Sequence, residues 1–145
     1  MSMIALAMAM GVSTIHPTVP GSCPEIQADV RLDRLAGLPA EIRDDLKLIT
    51  HNDMGDGGGP LLNTDAPTAR DMKHPNTRFF QAMSRKGRWY VQFEVALSGV
   101  RTLSYAVGEA GRFYRVPSQY FGGPPCESLQ AAMSGVLSLD SVKYR

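Results

Sequence analysis

Charge is absent from the opening of this 145-residue sequence: Met1 to Ser22 holds no Asp, Glu, Lys or Arg. Its middle, Ile4 to Ile15, is an apolar run of the kind found in secretory signals, which carry roughly 7–15 such residues before small residues at the cut. A cut after Gly21 places Val19 three positions back. Residues 1–21 are therefore expected to be an export signal, and 22–145 a single small domain, periplasmic or secreted. Two features depart from that pattern: Pro20 beside the cut, and no Lys or Arg in Met1-Ser-Met-Ile4. The competing expectation is that this stretch is the first element of the core. It is shorter than the ~20 apolar residues of a membrane helix, so no stable membrane span is expected. Pro20-Gly-Ser before Cys23 lacks the large aliphatic residue of a lipid-attachment site.

Cysteine is scarce too. Cys23 and Cys126 are the only two, with no CxxC spacing and no Cys/His cluster, so neither a four-ligand zinc site nor a redox motif is written in the chain. In an exported protein the expected state of two such cysteines is one disulfide. Prolines flank both, as Cys23-Pro24 and Pro124-Pro125-Cys126, so the bond would tie rigid ends of two elements together.

Net charge is nearly absent at +1, which argues against a nucleic-acid partner, since such proteins show a strong basic excess or stripe. The halves differ, however. Residues 25–71 carry ten acids and five bases, and residues 72–145 carry ten bases and four acids. Two attracting faces of one domain account for this; so does an anion-binding face drawn from Arg78, Arg85, Lys86, Arg88, Arg101, Arg112 and Arg115.

Catalytic signatures are missing as well. No GxSxG, HExxH or SxxK occurs, and the three histidines are far apart. No cofactor is implied. Gly55-Asp-Gly-Gly-Gly59 lacks the Lys-Ser/Thr that completes a phosphate loop. One polar cluster is dense enough for chemistry: His51, Asp53 and Asp56 offer an imidazole and two carboxylates, which can hold a metal or act as base and orienter. The calcium-loop spacing fails, so no metal is assigned.

What is present is a readable fold pattern. Pro39 suits a first helical position, and Ile42, Leu46 and Ile49 form a stripe over 39–49, with Arg43, Asp44, Asp45 and Lys47 facing water. Residues 50–76 read as a long loop, and 25–36 fit helix or strand equally. Over 77–116 the alternation is clear: Trp89, Val91, Phe93, Val95 and Leu97 point one way, Tyr90, Gln92, Glu94 and Ala96 the other. Short links between successive runs predict antiparallel pairing, giving a four-stranded meander. Residues 117–123 read as a loop. Leu129, Ala132, Met133, Val136 and Leu137 recur at helical spacing and predict a helix over 125–137. The expected class is α+β, with both helices on the apolar face of the meander.

Trp89, Phe93 and Tyr105 are assigned to the core. The candidate binding residues are Arg88, Tyr90, Arg112, Tyr114, Arg115, Tyr120 and Phe121, because Arg beside aromatics is the chemistry of contact surfaces. Together these features predict a small exported binding or accessory domain, whose partner is an envelope protein or an anionic envelope polymer. The alternative is a hydrolase, metal-assisted or not, using His51, Asp53 and Asp56.

Overall fold

A computed structural model describes residues 23–62, 64–121 and 124–135; the segment read as an export signal, 1–21, lies outside them. Among the described residues six strands form one sheet: β1 Val30–Leu32, β2 Met54–Gly55, β3 Thr77–Arg85, β4 Arg88–Val95, β5 Gly99–Val107 and β6 Phe113–Phe121. Two α-helices flank it, α1 Ala40–Ile49 and α2 Pro125–Ser134. Strands run in the order β1-β3-β4-β5-β6 and are antiparallel throughout. β2 adds a short parallel pairing, with Met54 and Gly55 opposite Thr77 and Arg78. The α+β class and the meander are those expected; β1 and β2 extend the sheet beyond four strands.

Alternation in β4 decides which side chains meet which helix. Trp89, Val91 and Phe93 join Leu103 and Tyr105 of β5, and Leu38, Ile42 and Leu46 of α1 and its approach, in one buried cluster. The opposite face holds a second cluster: Cys23, Ile26, Met83, Tyr90, Leu129 and Ala132. The two helices thus cover opposite faces, giving three layers where two were expected. The sequence pattern gives each helix an apolar stripe but not the face it seeks. A bulge in β3 keeps the faces sorted. Phe79 lies opposite Phe93 and Gln81 opposite Gln92, so Phe80 is the extra residue. Phe79 and Ala82 can then share the α1 face despite their odd spacing.

One further boundary departs from expectation. β6 continues through 117–121, which had read as loop, because Gln119, Tyr120 and Phe121 pair with Leu103, Thr102 and Arg101 beyond a second irregularity. Pro117 is tolerated there since β6 ends the strand order, and edge strands and bulges are where proline fits in a sheet. α2 runs to Ser134, where Gly135 adopts a left-handed φ of 78° and caps it; Val136 and Leu137 of the expected stripe lie outside the described residues.

Candidate functional site

Glu41 and Asp45 are four residues apart in α1 and both reach β6 and its approach. The Glu41 carboxylate takes Arg112 Nε at 3.1 Å and the Phe113 backbone N–H at 3.2 Å, on the same oxygen. Asp45 Oδ2 accepts from the Tyr105 hydroxyl at 2.6 Å and pairs with Arg115 Nε at 3.1 Å. Between the helix and the strand lies an open groove of about 320 Å³, lined by these residues with Asp44, Leu48 and Tyr114. Tyr114 and Leu48 are exposed, at 53% and 72%, so the groove has an apolar rim around a charged floor. Burial, then the hydrogen bond it donates to the Asp45 carboxylate, holds the Tyr105 hydroxyl well above the usual tyrosine range.

Three sequence candidates, Arg112, Tyr114 and Arg115, therefore come together in this groove. The others do not join them. Arg88 lies at the start of β4, directly opposite Arg85 across the β3–β4 hairpin. Tyr90 is buried, 5% exposed, among Ile26, Met83 and Leu129 beneath α2. Tyr120 and Phe121 lie on β6 opposite Thr102 and Arg101. The groove's acids escaped the sequence reading, which turned Asp45 to water. Their available signal was the i, i+4 spacing of Glu41 and Asp45 beside the Ile42–Leu46 stripe.

At the same end of the sheet, on the α2 face, a second groove of about 520 Å³ runs beside the β3–β4 hairpin. Arg31, Arg85 and Lys86 line it together with Pro24, Gln27 and Asp29. The Arg31 guanidinium donates to the Cys23 and Ile26 carbonyls, fixing the N-terminal segment to the sheet. The Lys86 N–H donates to Asp29 Oδ2 at 2.8 Å.

The Cys23–Cys126 disulfide forms across 103 residues, with Cα atoms 5.4 Å apart. Beneath it runs a buried polar ladder. Gln81 Nε2 donates to Gln92 Oε1 at 2.7 Å, and Gln92 Nε2 donates to Thr102 Oγ1 at 3.0 Å and to the Pro125 carbonyl at 2.8 Å. This ladder joins β3, β4, β5 and the first turn of α2.

In the loop after α1, the two carboxylates hold different pieces of backbone. Asp53 Oδ2 accepts from the Asn76 N–H at 3.0 Å and its side-chain amide at 3.1 Å. Asp56 Oδ1 accepts from the N–H groups of Leu35 at 2.8 Å and Gly57 at 2.7 Å. His51 is exposed on left-handed backbone, φ 54°. Among the described residues no group of three or more His, Cys, Asp and Glu is placed to hold a metal ion. Gly57 after Asp56 serves packing: a Cβ there would collide with the Asp33 carbonyl. Among the described residues no helix is long and apolar enough to cross a membrane.

Comparison with protein-family models, with characterised proteins and with solved structures gives no match.

Proposed function

We propose that the chain is a small exported domain, periplasmic or secreted, with a binding or accessory role. The observation that carries this reading is the Cys23–Cys126 bond, because structural disulfides persist in oxidising compartments and are rare in reducing ones. The charge-free, apolar opening of the sequence points the same way. The contact surface in this reading is the α1–β6 groove. Its arginines are held in place by Glu41 and Asp45, and exposed Tyr114 and Leu48 stand at its edge. Fixed arginines beside exposed aromatic surface are what a protein partner engages. With acids outnumbering bases among its lining residues, the groove suits an envelope protein better than an anionic polymer.

Intact mass of protein recovered from a bacterial periplasm, alkylated with and without reduction, tests the compartment. The expected species lacks about the first 21 residues and has no free thiol before reduction. A full-length cytosolic species with two free thiols overturns it. For the groove, Tyr114→Ala with Leu48→Ala should abolish co-purification of an envelope protein from the periplasm; unchanged co-purification removes the groove from the reading.

A further inference from the structure

The basic half of the chain divides into cations that are neutralised and cations that are not. Arg78 pairs with Glu94 at 2.8 Å, Arg112 with Glu41 at 3.1 Å and Arg115 with Asp45 at 3.1 Å. Arg85, Lys86 and Arg88 have no carboxylate within ion-pair distance among the described residues, and all three are exposed.

Two local rules are broken at that same spot. Arg85 and Arg88 lie directly opposite each other across β3 and β4, and like charges so placed destabilise a hairpin. Lys86 and Gly87 form the two-residue turn with φ of 52° and 78°. Such a turn favours Asn, Asp or Gly at its first position, because a long side chain at positive φ is strained. The Lys86 N–H donates to Asp29 at the turn, but nothing neutralises the facing guanidinium groups: among the described residues the Arg85 guanidinium reaches the Met133 sulfur, at 3.8 Å, and no carboxylate. Local choices that oppose the fold without internal compensation mark places kept for another purpose.

We propose that the β3–β4 hairpin tip and its groove form a binding site for a linear polyanion bearing phosphate or carboxylate groups. Arg85 and Arg88 project from the face that carries Met83 and Tyr90, with Arg31 opposite Met83 on the neighbouring strand. The Arg85 and Arg88 guanidinium groups on two adjacent strands match successive oxyanions along a chain, and each fork can take one in bidentate fashion; Arg31, engaged by the Cys23 and Ile26 carbonyls, adds its charge to the groove. Asp29 is the one carboxylate among the groove's lining residues, and it is engaged by the Lys86 N–H. The groove is open and enfolds no single small anion. Among the described residues its apolar lining is Pro24, Ala28 and Ile26, and Ile26 is buried in the core, so it lacks the exposed apolar wedge of a membrane-inserting surface. The site lies on the opposite face from the α1–β6 groove and stands whether or not that groove takes a protein.

The test uses the full chain with its disulfide intact and measures binding of sodium polyphosphate and of polygalacturonate against salt. At least one polymer should bind at 50 mM salt and weaken about tenfold by 300 mM. Arg85→Gln/Lys86→Gln/Arg88→Gln should lose at least about tenfold in affinity at low salt, as expected for three charge-assisted contacts. Arg34→Gln/Arg70→Gln/Lys73→Gln, which removes the same charge elsewhere, should bind within about twofold of the parent. Lys86→Asn should raise Tm while weakening binding, because Asn suits the turn and cannot carry the charge; this variant keeps the test open should the triple variant fold poorly. Binding by neither polymer, equal loss in both triple variants, or undiminished binding by Lys86→Asn overturns the proposal. So does tighter hairpin-dependent binding to anionic lipid vesicles or to single-stranded DNA than to either polymer.

Discussion

Among the described residues, ten buried side chains form one apolar cluster on the α1 face, from Leu38 and Ile42 to Leu103 and Tyr105. On the α2 face the corresponding cluster has six, and one of them is Cys23. The difference lies in the strand residues beneath each helix. α1 meets Trp89, Val91 and Phe93, whereas the start of α2 meets Gln92, which is fully buried and binds the Pro125 carbonyl. One face is held by burial of apolar area, at about 25 cal/mol per Å². The other gains less from burial and is secured by a covalent bond and a ladder of amides. A face stabilised by specific partners should fail abruptly when one is removed, and a face stabilised by area should fail in proportion to the area lost.

The disulfide is the sharpest place to divide the two. With the cysteines 103 positions apart in sequence, the chain-entropy model gives about 4.7 kcal/mol for a loop of that order. Cys23→Ser with Cys126→Ser should therefore lower stability by about 3–5 kcal/mol in denaturant titrations. The amides of α2 should lose hydrogen-exchange protection before those of α1 and β4. Trp89, the sole tryptophan, sits 8% exposed on the α1 face, so its emission should stay blue-shifted in the folded double variant. A red shift under native conditions would mean that the faces are not separable.

Next in size is Ile42→Ala. Ile42 is fully buried, and its truncation should cost about 2–5 kcal/mol with an unchanged m-value. A cost below ~1 kcal/mol would show that α1 contributes little and would reverse the contrast. Gln92→Ala follows, at about 1–3 kcal/mol, because Gln81 and Thr102 each lose a hydrogen-bond partner and the Pro125 carbonyl loses its donor. Its effect should be larger than that of Gln92→Leu, which fills the space but leaves the same groups unmet. Equal effects would mean that hydrogen bonding, not volume, is what the α2 face needs at this position.

The contrast between faces also explains what the sequence made legible. Alternation in Arg88–Val95 is a local property, so β4 and the meander could be read directly, and so could α1 from Ile42, Leu46 and Ile49. The face chosen by α2 is set by Gln81, Gln92 and Thr102, polar residues interrupting apolar strands, whose matching becomes evident only in register. Tyr90 was read as surface for the same reason: without α2 above it, its face of β4 looks open. Arg112, Tyr114 and Arg115 were legible as contact chemistry from composition. Their acids were not, since Glu41 lies 71 residues from Arg112 and nothing local encodes a pairing at that range. Pro117 hid the end of β6, because proline signals a break everywhere except at an edge or bulge.

The smallest expected effect tests whether the α1 face is purely apolar. Tyr105 is 1% exposed, yet its hydroxyl reaches Asp45 at 2.6 Å. Tyr105→Phe should cost only about 1 kcal/mol near neutral pH, since Asp45 keeps its pairing with Arg115. The effect of pH should be more distinctive. Burial and the Asp45 carboxylate raise the hydroxyl above its ordinary value of 10.0, so the folded protein holds a proton that the unfolded chain releases. The stabilisation is complete below pH 10, the unfolded value, and falls as pH rises further toward the folded one. Urea midpoints measured from pH 8 to 11 should therefore decline above 10 in the parent and decline less in Tyr105→Phe. Parallel curves for the two proteins would show that the hydroxyl ionises as freely in the folded state as in the unfolded one, and that the polar contact at the groove floor does not couple to folding.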